Sequence, residues 1–196
     1  MAVLLLAVFE ATIVERVNLI SDVITRSFVT HPDMRGELTE VYRASWGACN
    51  APVQFNLVRS EPGVMRGLHM HRFHADQVMM VSGRALIGLV DYRPDSPTFG
   101  VADVVALQDS DQMVAIPVGV AHGFWIPAGG LMLYGLDVEW STADELQCRW
   151  DDPDVHIPWS RYGDPHPADT EGGPLLSARD RAAGTLATML ADFASS

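Results

Sequence analysis

The sequence predicts an all-β barrel closed by one short C-terminal helix. Three observations carry this prediction. Short runs of alternating or apolar residues recur at roughly 8–12-residue spacing, with Gly, Pro and Asp turns between them. Helical periodicity is confined to the end of the chain, where Leu186, Met189, Leu190 and Phe193 share one face. Two histidine-bearing stretches, Met65 to Gly83 and Pro117 to Phe124, sit inside strand-like apolar runs.

The elements follow in order. Residues 1–27 form an N-terminal extension, read as an added strand or an irregular start. Its apolar opening, Met1 to Phe9, is too short to span a membrane and lacks the positive n-region of a signal peptide. A cytoplasmic location is expected. Residues 28–160 form the barrel, and 161–196 a C-terminal segment with a helix packed on it. Asp33 to Gly36 is a turn, and Glu37 to Tyr42 alternates like a strand. A second strand runs from Pro52 to Ser60. Gly83-Arg84 is read as a turn into the apolar strand Ala85–Val90. Strands continue at Val101–Leu107, Met113–Ile116, His122–Ile126 and Leu131–Leu136. The Pro- and Asp-rich segment from Trp150 leaves the barrel, and Ser177 caps a single closing helix.

Composition narrows the function. The 196 residues, 48% of them apolar, suffice for one domain with a real core. A net charge of −12 repels nucleic-acid backbones and anionic membranes, so neither is expected as a partner. Cys49 and Cys148 give no disulfide framework and read as reduced, buried thiols.

Three histidines and one carboxylate fall between His69 and Asp76. The pattern His-x-His, four residues, an acid, six residues, Gly resembles the first motif of a cupin. Pro117-Val-Gly119-Val-Ala-His122 resembles the second. The resemblance implies a cupin-type jelly roll (double-stranded β-helix), with both motifs facing one pocket. A more specific likeness covers about residues 28 to 182. It rests on Arg66-Gly-Leu-His69, Val90-Asp-Tyr-Arg93, Ile116 to Phe124, Leu133-Tyr134, Arg149 to Pro153 and Leu176-Ser-Ala-Arg-Asp180. In this order they resemble the dTDP-4-dehydrorhamnose 3,5-epimerase family.

That family implies a homodimer that needs no cofactor and acts on a nucleotide-sugar substrate. The implied chemistry is removal of a proton beside a ketone, which needs a base and a means to hold the enolate. The resemblance assigns His69 as base, Asp180 as its orienting acid and Tyr134 as the acid on the opposite face. It places Arg35 and Arg66 on the diphosphate, with Gln54 and Asn56 nearby. Glu40 would hold the nucleotide base, and His122 would line the sugar pocket. Without the resemblance, Asp180 reads equally as a first-turn helix acid and Tyr134 as a core residue.

The sequence departs from the family at several points. Asp76 stands where the family has a lysine, Met79 replaces a basic residue, Asp111-Gln112 replaces Lys-Arg, and Glu139 replaces a stacking aromatic. With Asp76 and His71 present, His69, His71, Asp76 and His122 match a metal-ligand pattern, and a divalent metal is admitted. His69 cannot be both a ligand and a free base paired with Asp180. Three readings follow: an epimerase of a nucleotide-activated 4-keto-6-deoxy sugar at C3, C5 or both; a metal-dependent cupin isomerase or dioxygenase; and a non-catalytic sugar-binding cupin.

Overall fold

The computed structural model describes residues 19–47 and 50–195. Most of the N-terminal extension, and Cys49, lie outside the described residues. The strands within them are β1 (Ile24–Ser27), β2 (Thr30–Asp33), β3 (Gly36–Thr39), β4 (Gln54–Ser60), β5 (Val64–His71), β6 (Asp76–Asp91), β7 (Ala102–Gln108), β8 (Gln112–Ile116), β9 (Val120–Ile126), β10 (Gly130–Leu136) and β11 (Glu145–Gln147). Helices α1 (Ala178–Arg181) and α2 (Leu186–Ala194) close the chain.

Two antiparallel sheets face each other. One runs β1-β8-β6-β10-β4 and the other β7-β6-β9-β5-β11. Strand β6 belongs to both. Its first half pairs with β8 and β10, and its second half with β7 and β9. Gly83 is therefore not the turn the sequence suggested. It is the bend at which one strand crosses between sheets, with φ +82°. A Cβ there would lie 2.6 Å from the Gly129 carbonyl oxygen, so only glycine permits the crossing.

The core between the sheets takes Val78, Met80, Val114 and Met132 from one and Ile87, Leu89, Phe124 and Ile126 from the other. A second core lies outside the β7–β11 sheet. There Leu86, Trp125, Ile157, Trp159, Leu186 and Met189 pack together under the C-terminal segment. The expected single closing helix is two. The chain breaks after Ala182, and Gly184 bridges to Cys148 before Thr185 caps α2. Tertiary pairing here outweighs a continuous helical pattern. β2 and β3 form a separate hairpin, exposed along almost its whole length.

Asp91 ends β6 and anchors the loop that follows. It is fully buried and accepts hydrogen bonds from Arg93 Nε (2.9 Å), Arg93 Nη2 (2.8 Å), Ser96 Oγ (2.5 Å) and Thr98 Oγ1 (2.6 Å). Burial would raise this carboxyl, but the Arg93 guanidinium and the two hydroxyls outweigh it and hold it well below the usual carboxylate range. Its stabilising effect is complete above the ordinary Asp pKa of about 3.9 and drains away as pH falls below it. Asp91→Ala is expected to cost about 3 kcal/mol at pH 7, because it breaks a buried ion pair. Urea unfolding at a series of pH values should show the wild-type advantage shrinking below about pH 4.

Candidate active site

The site opens between the two sheets. An outer cavity of about 410 Å³ is lined by Gln54, Asn56, Arg66, His69, Tyr134 and Asp180, among others. An inner chamber of about 60 Å³ continues from it and is lined by His71, His74, Asp76 and His122. His69, Phe124, Tyr134, Trp140 and Glu145 border both.

Strand geometry explains the grouping. His69 and His71 lie two apart on β5 and share a face. His69 sits opposite His122 on β9, next to a register shift that begins at Arg66. Gly67, at φ +103°, makes the shift feasible, since a Cβ there would meet the His122 carbonyl oxygen at 2.8 Å. On the facing sheet Tyr134 of β10 pairs with Asn56 of β4. His69 and Tyr134 thus stand on opposite walls of one cavity.

Asp180 reaches His69 from α1. Its Oδ1 lies 2.9 Å from His69 Nε2. Ser177 fixes the carboxylate: its Oγ donates to Asp180 Oδ2 (2.8 Å) and accepts the Asp180 N–H (3.0 Å). Burial would raise the Asp180 carboxyl, but the His69 contact, the Ser177 hydroxyl and the Arg179 charge carry it below its ordinary value. It stays an anion beside the imidazole. Arg179 Nη2 also lies 2.7 Å from His69 Nε2, and Arg179 is ion-paired with Glu145. One nitrogen cannot donate to Asp180 and accept from Arg179 together. The carboxylate favours a proton on Nε2, which leaves Nδ1 unprotonated, 3.5 Å from Arg179 Nη2 and 3.7 Å from Glu145 Oε1.

Burial first, and the Asp76 charge next, raise the Tyr134 phenol above its ordinary pKa. It therefore carries its proton at neutral pH. Gln54 Nε2 donates to Asn56 Oδ1 (3.0 Å), and Arg66 Nε donates to Ser60 Oγ (3.2 Å). In the inner chamber burial pushes the His122 imidazole down to about 4. His122 Nδ1 lies 3.1 Å from the Val120 carbonyl oxygen.

The structure brings His69, Tyr134, Asp180, Gln54, Asn56 and Arg66 together, with His122 just behind them. It does not bring Arg35 and Glu40, which line neither chamber. Both lie on the exposed hairpin side, where Arg35 pairs with Asp33 and Glu40 with Arg43. Of the set His69, His71, Asp76 and His122, His69 is drawn away toward Asp180, and His74 joins the other three in the chamber.

Sequence reading missed Trp140, Glu145 and Arg179. Glu139 was read as standing in place of an aromatic; its neighbour Trp140 lines the cavity, with its backbone N–H on Gln54 Oε1 (3.0 Å) and its indole N–H on Glu145 Oε2 (3.1 Å). Glu145 arrives on β11, a strand too short to show as a periodic pattern. Arg179 had a signal, its place next to Asp180.

The barrel is a cupin-type jelly roll with a His–Asp pair on one wall of its cavity and a tyrosine on the other, a framework that suits an isomerase. A family model described as dTDP-4-dehydrorhamnose 3,5-epimerase matches residues 18–188. The chain belongs to that family. It is 35% identical over 159 residues to a dTDP-4-dehydrorhamnose 3,5-epimerase of Pseudomonas aeruginosa, covering 76% of this chain and 82% of that one. It is 31% identical over 170 residues to a dTDP-4-dehydro-6-deoxyglucose 3-epimerase of a Streptomyces species, covering 82% of each. The crystal structure of a Legionella pneumophila 3,5-epimerase in complex with dTDP-4-keto-L-rhamnose superimposes with a TM-score of 0.79. That match has 27% identity and covers 92% of this chain and 96% of that one.

The pairing of His69 with Asp180 makes a spectroscopic prediction. In ¹⁵N NMR the wild-type His69 ring should show a proton on Nε2, and Asp180→Ala should move both ring nitrogens toward the averaged shifts of free imidazole. Unchanged shifts in the variant would mean that Asp180 does not set the tautomer.

Proposed function

We propose that this isomerase epimerises a dTDP-activated 4-keto-6-deoxy sugar beside its ketone, in deoxysugar biosynthesis. The observation that carries the reading is the placement of His69–Asp180 and Tyr134 on opposite walls of one cavity. His69 Nδ1 takes the proton from the carbon next to C4, and the electron pair moves to the keto oxygen. Asp180 steadies the imidazolium, as the carboxylate of a Ser-His-Asp triad does. Tyr134 returns a proton from the other face, and the centre inverts. One relative is named a 3,5-epimerase and another a 3-epimerase, so one or two inverted centres fit the same machinery.

Arg66, Gln54, Asn56 and Trp140 are suited to the nucleotide half of the substrate. The first three offer hydrogen-bond donors to phosphate or base, and the indole offers a stacking face. We place the protein in the cytoplasm as a homodimer. No helix of the described residues is long and apolar enough to cross a membrane. Val53, just before β4, and Phe55 and Leu57 on its outer face are exposed, an apolar stripe suited to a second copy. Arg35 and Glu40 can serve a substrate only if the hairpin reaches the cavity of that second copy. The relatives' names favour epimerase chemistry over a dioxygenase or a binding-only cupin.

Steady-state turnover of dTDP-4-keto-6-deoxyglucose tests the proposal. His69→Gln should lower kcat by about 10²–10⁴-fold, the usual worth of general-base catalysis. Tyr134→Phe should lower epimer formation while KM changes little. Full activity in His69→Gln would overturn the assignment.

A further inference from the structure

We infer that the inner chamber is a binding site for one divalent first-row transition ion, held by His71 Nε2, the Asp76 carboxylate and His122 Nε2. These three groups come from β5, β6 and β9, and all are buried. Asp76 Oδ2 lies 3.2 Å from His71 Nε2 and 3.3 Å from His122 Nε2. Ligands about 2.0–2.1 Å from a tetrahedral ion stand about 3.3 Å from one another. Both Asp76 distances fit that sphere, and the three ligand atoms lie within 4.8 Å of one another.

The hydrogen bonds around the chamber point the same way. The Val120 carbonyl can only accept, so His122 Nδ1 carries the ring proton. The lone pair on Nε2 then faces a carboxylate oxygen with no proton between them. His74 repeats the arrangement. Its Nδ1 is bonded to Asp144 Oδ2, and Asp144 Oδ1 is tied down by the Arg72 and Phe73 N–H groups. The Asp144 carboxylate can only accept, so the His74 ring proton sits on Nδ1 and Nε2 is an acceptor. His74 Nε2 points inward, 3.7 Å from Asp76 Oδ1. His74 Nε2 and Asp76 Oδ2 are buried atoms with no hydrogen-bond partner among the described residues. Buried acceptors facing one another are costly, and a cation between them removes the cost.

Imidazole and carboxylate donors suit Zn²⁺, Fe²⁺, Co²⁺ or Ni²⁺ better than Mg²⁺ or Ca²⁺. Three protein ligands leave one position open toward the cavity that holds His69 and Tyr134. An ion there would set positive charge at the cavity floor, opposite a developing enolate. That role rests on the epimerase reading; the site itself does not.

The test is Co²⁺ titration of untagged full-length protein, stripped with chelator and then freed of it. Visible d–d absorption of a four- or five-coordinate ion should grow to one equivalent and vanish on adding Zn²⁺. Asp76→Asn should weaken binding by more than the roughly 10–100-fold that follows loss of an outer partner. His71→Gln, checked for a wild-type melting profile, should do the same. Only the weak spectrum of hydrated Co²⁺ with the wild type would overturn the inference, and so would equal binding by folded Asp76→Asn and His71→Gln. Neither outcome depends on sugar turnover, so the site can fail without the epimerase reading failing.

Discussion

The contact between His69 and Asp180 organises the molecule's working half. It joins residues 111 apart in sequence and ties the C-terminal segment to a barrel strand. For Asp180 to arrive, the chain must leave β11, cross the outer face of the β7–β11 sheet and turn into α1. The apolar layer of Ile157, Trp159, Leu186 and Met189 holds that path in place. Gly88 admits it: a Cβ there would lie 2.5 Å from the Trp159 ring. The second core is thus the support on which the His–Asp pair is aligned. Stability and chemistry meet at Ser177, which caps α1 and clamps the Asp180 carboxylate with the same hydroxyl.

Charge in the cavity is arranged in two tiers. At the mouth Arg179 and Glu145 neutralise one another beside the imidazole. Burial would raise Glu145, but its hydrogen bonds from Arg179 hold it below its ordinary pKa, so the pair stays ionised. At the floor the Asp76 anion stands among three imidazoles. Tyr134 lies between the tiers and feels the Asp76 charge, which helps keep its phenol protonated. An ion held by His71, Asp76 and His122 would offset this negative floor.

Much of the fold was legible in the sequence. Alternating or continuous apolar runs marked most of the barrel strands, because β4 buries one face while β8 and β9 are buried along their whole length. Gly83 misled because its φ requirement signals a bend inside a strand as well as a turn. The closing helix misled because the Leu186 face continues the periodicity, while the break depends on the distant partner Cys148. The site was legible where the strand period of two sets it, as with His69 and His71. It was not legible where separate segments converge. Trp140 reaches the cavity mouth from a loop and Glu145 from a three-residue strand, and neither leaves a periodic trace. Arg35 and Glu40 were placed by likeness alone, and a single chain gives them no route to its own cavity.

In the proposed reaction two groups on opposite walls divide one inversion between removal and return of a proton. The most direct measurement is ¹H NMR of dTDP-4-keto-6-deoxyglucose incubated in heavy water with wild-type protein and with Tyr134→Phe. Deuterium is expected at the inverted centre with the wild type. With Tyr134→Phe deuterium should enter without inversion, because His69 still removes and returns a proton on its own face. Inverted product that keeps its original hydrogen would overturn the proposed reaction.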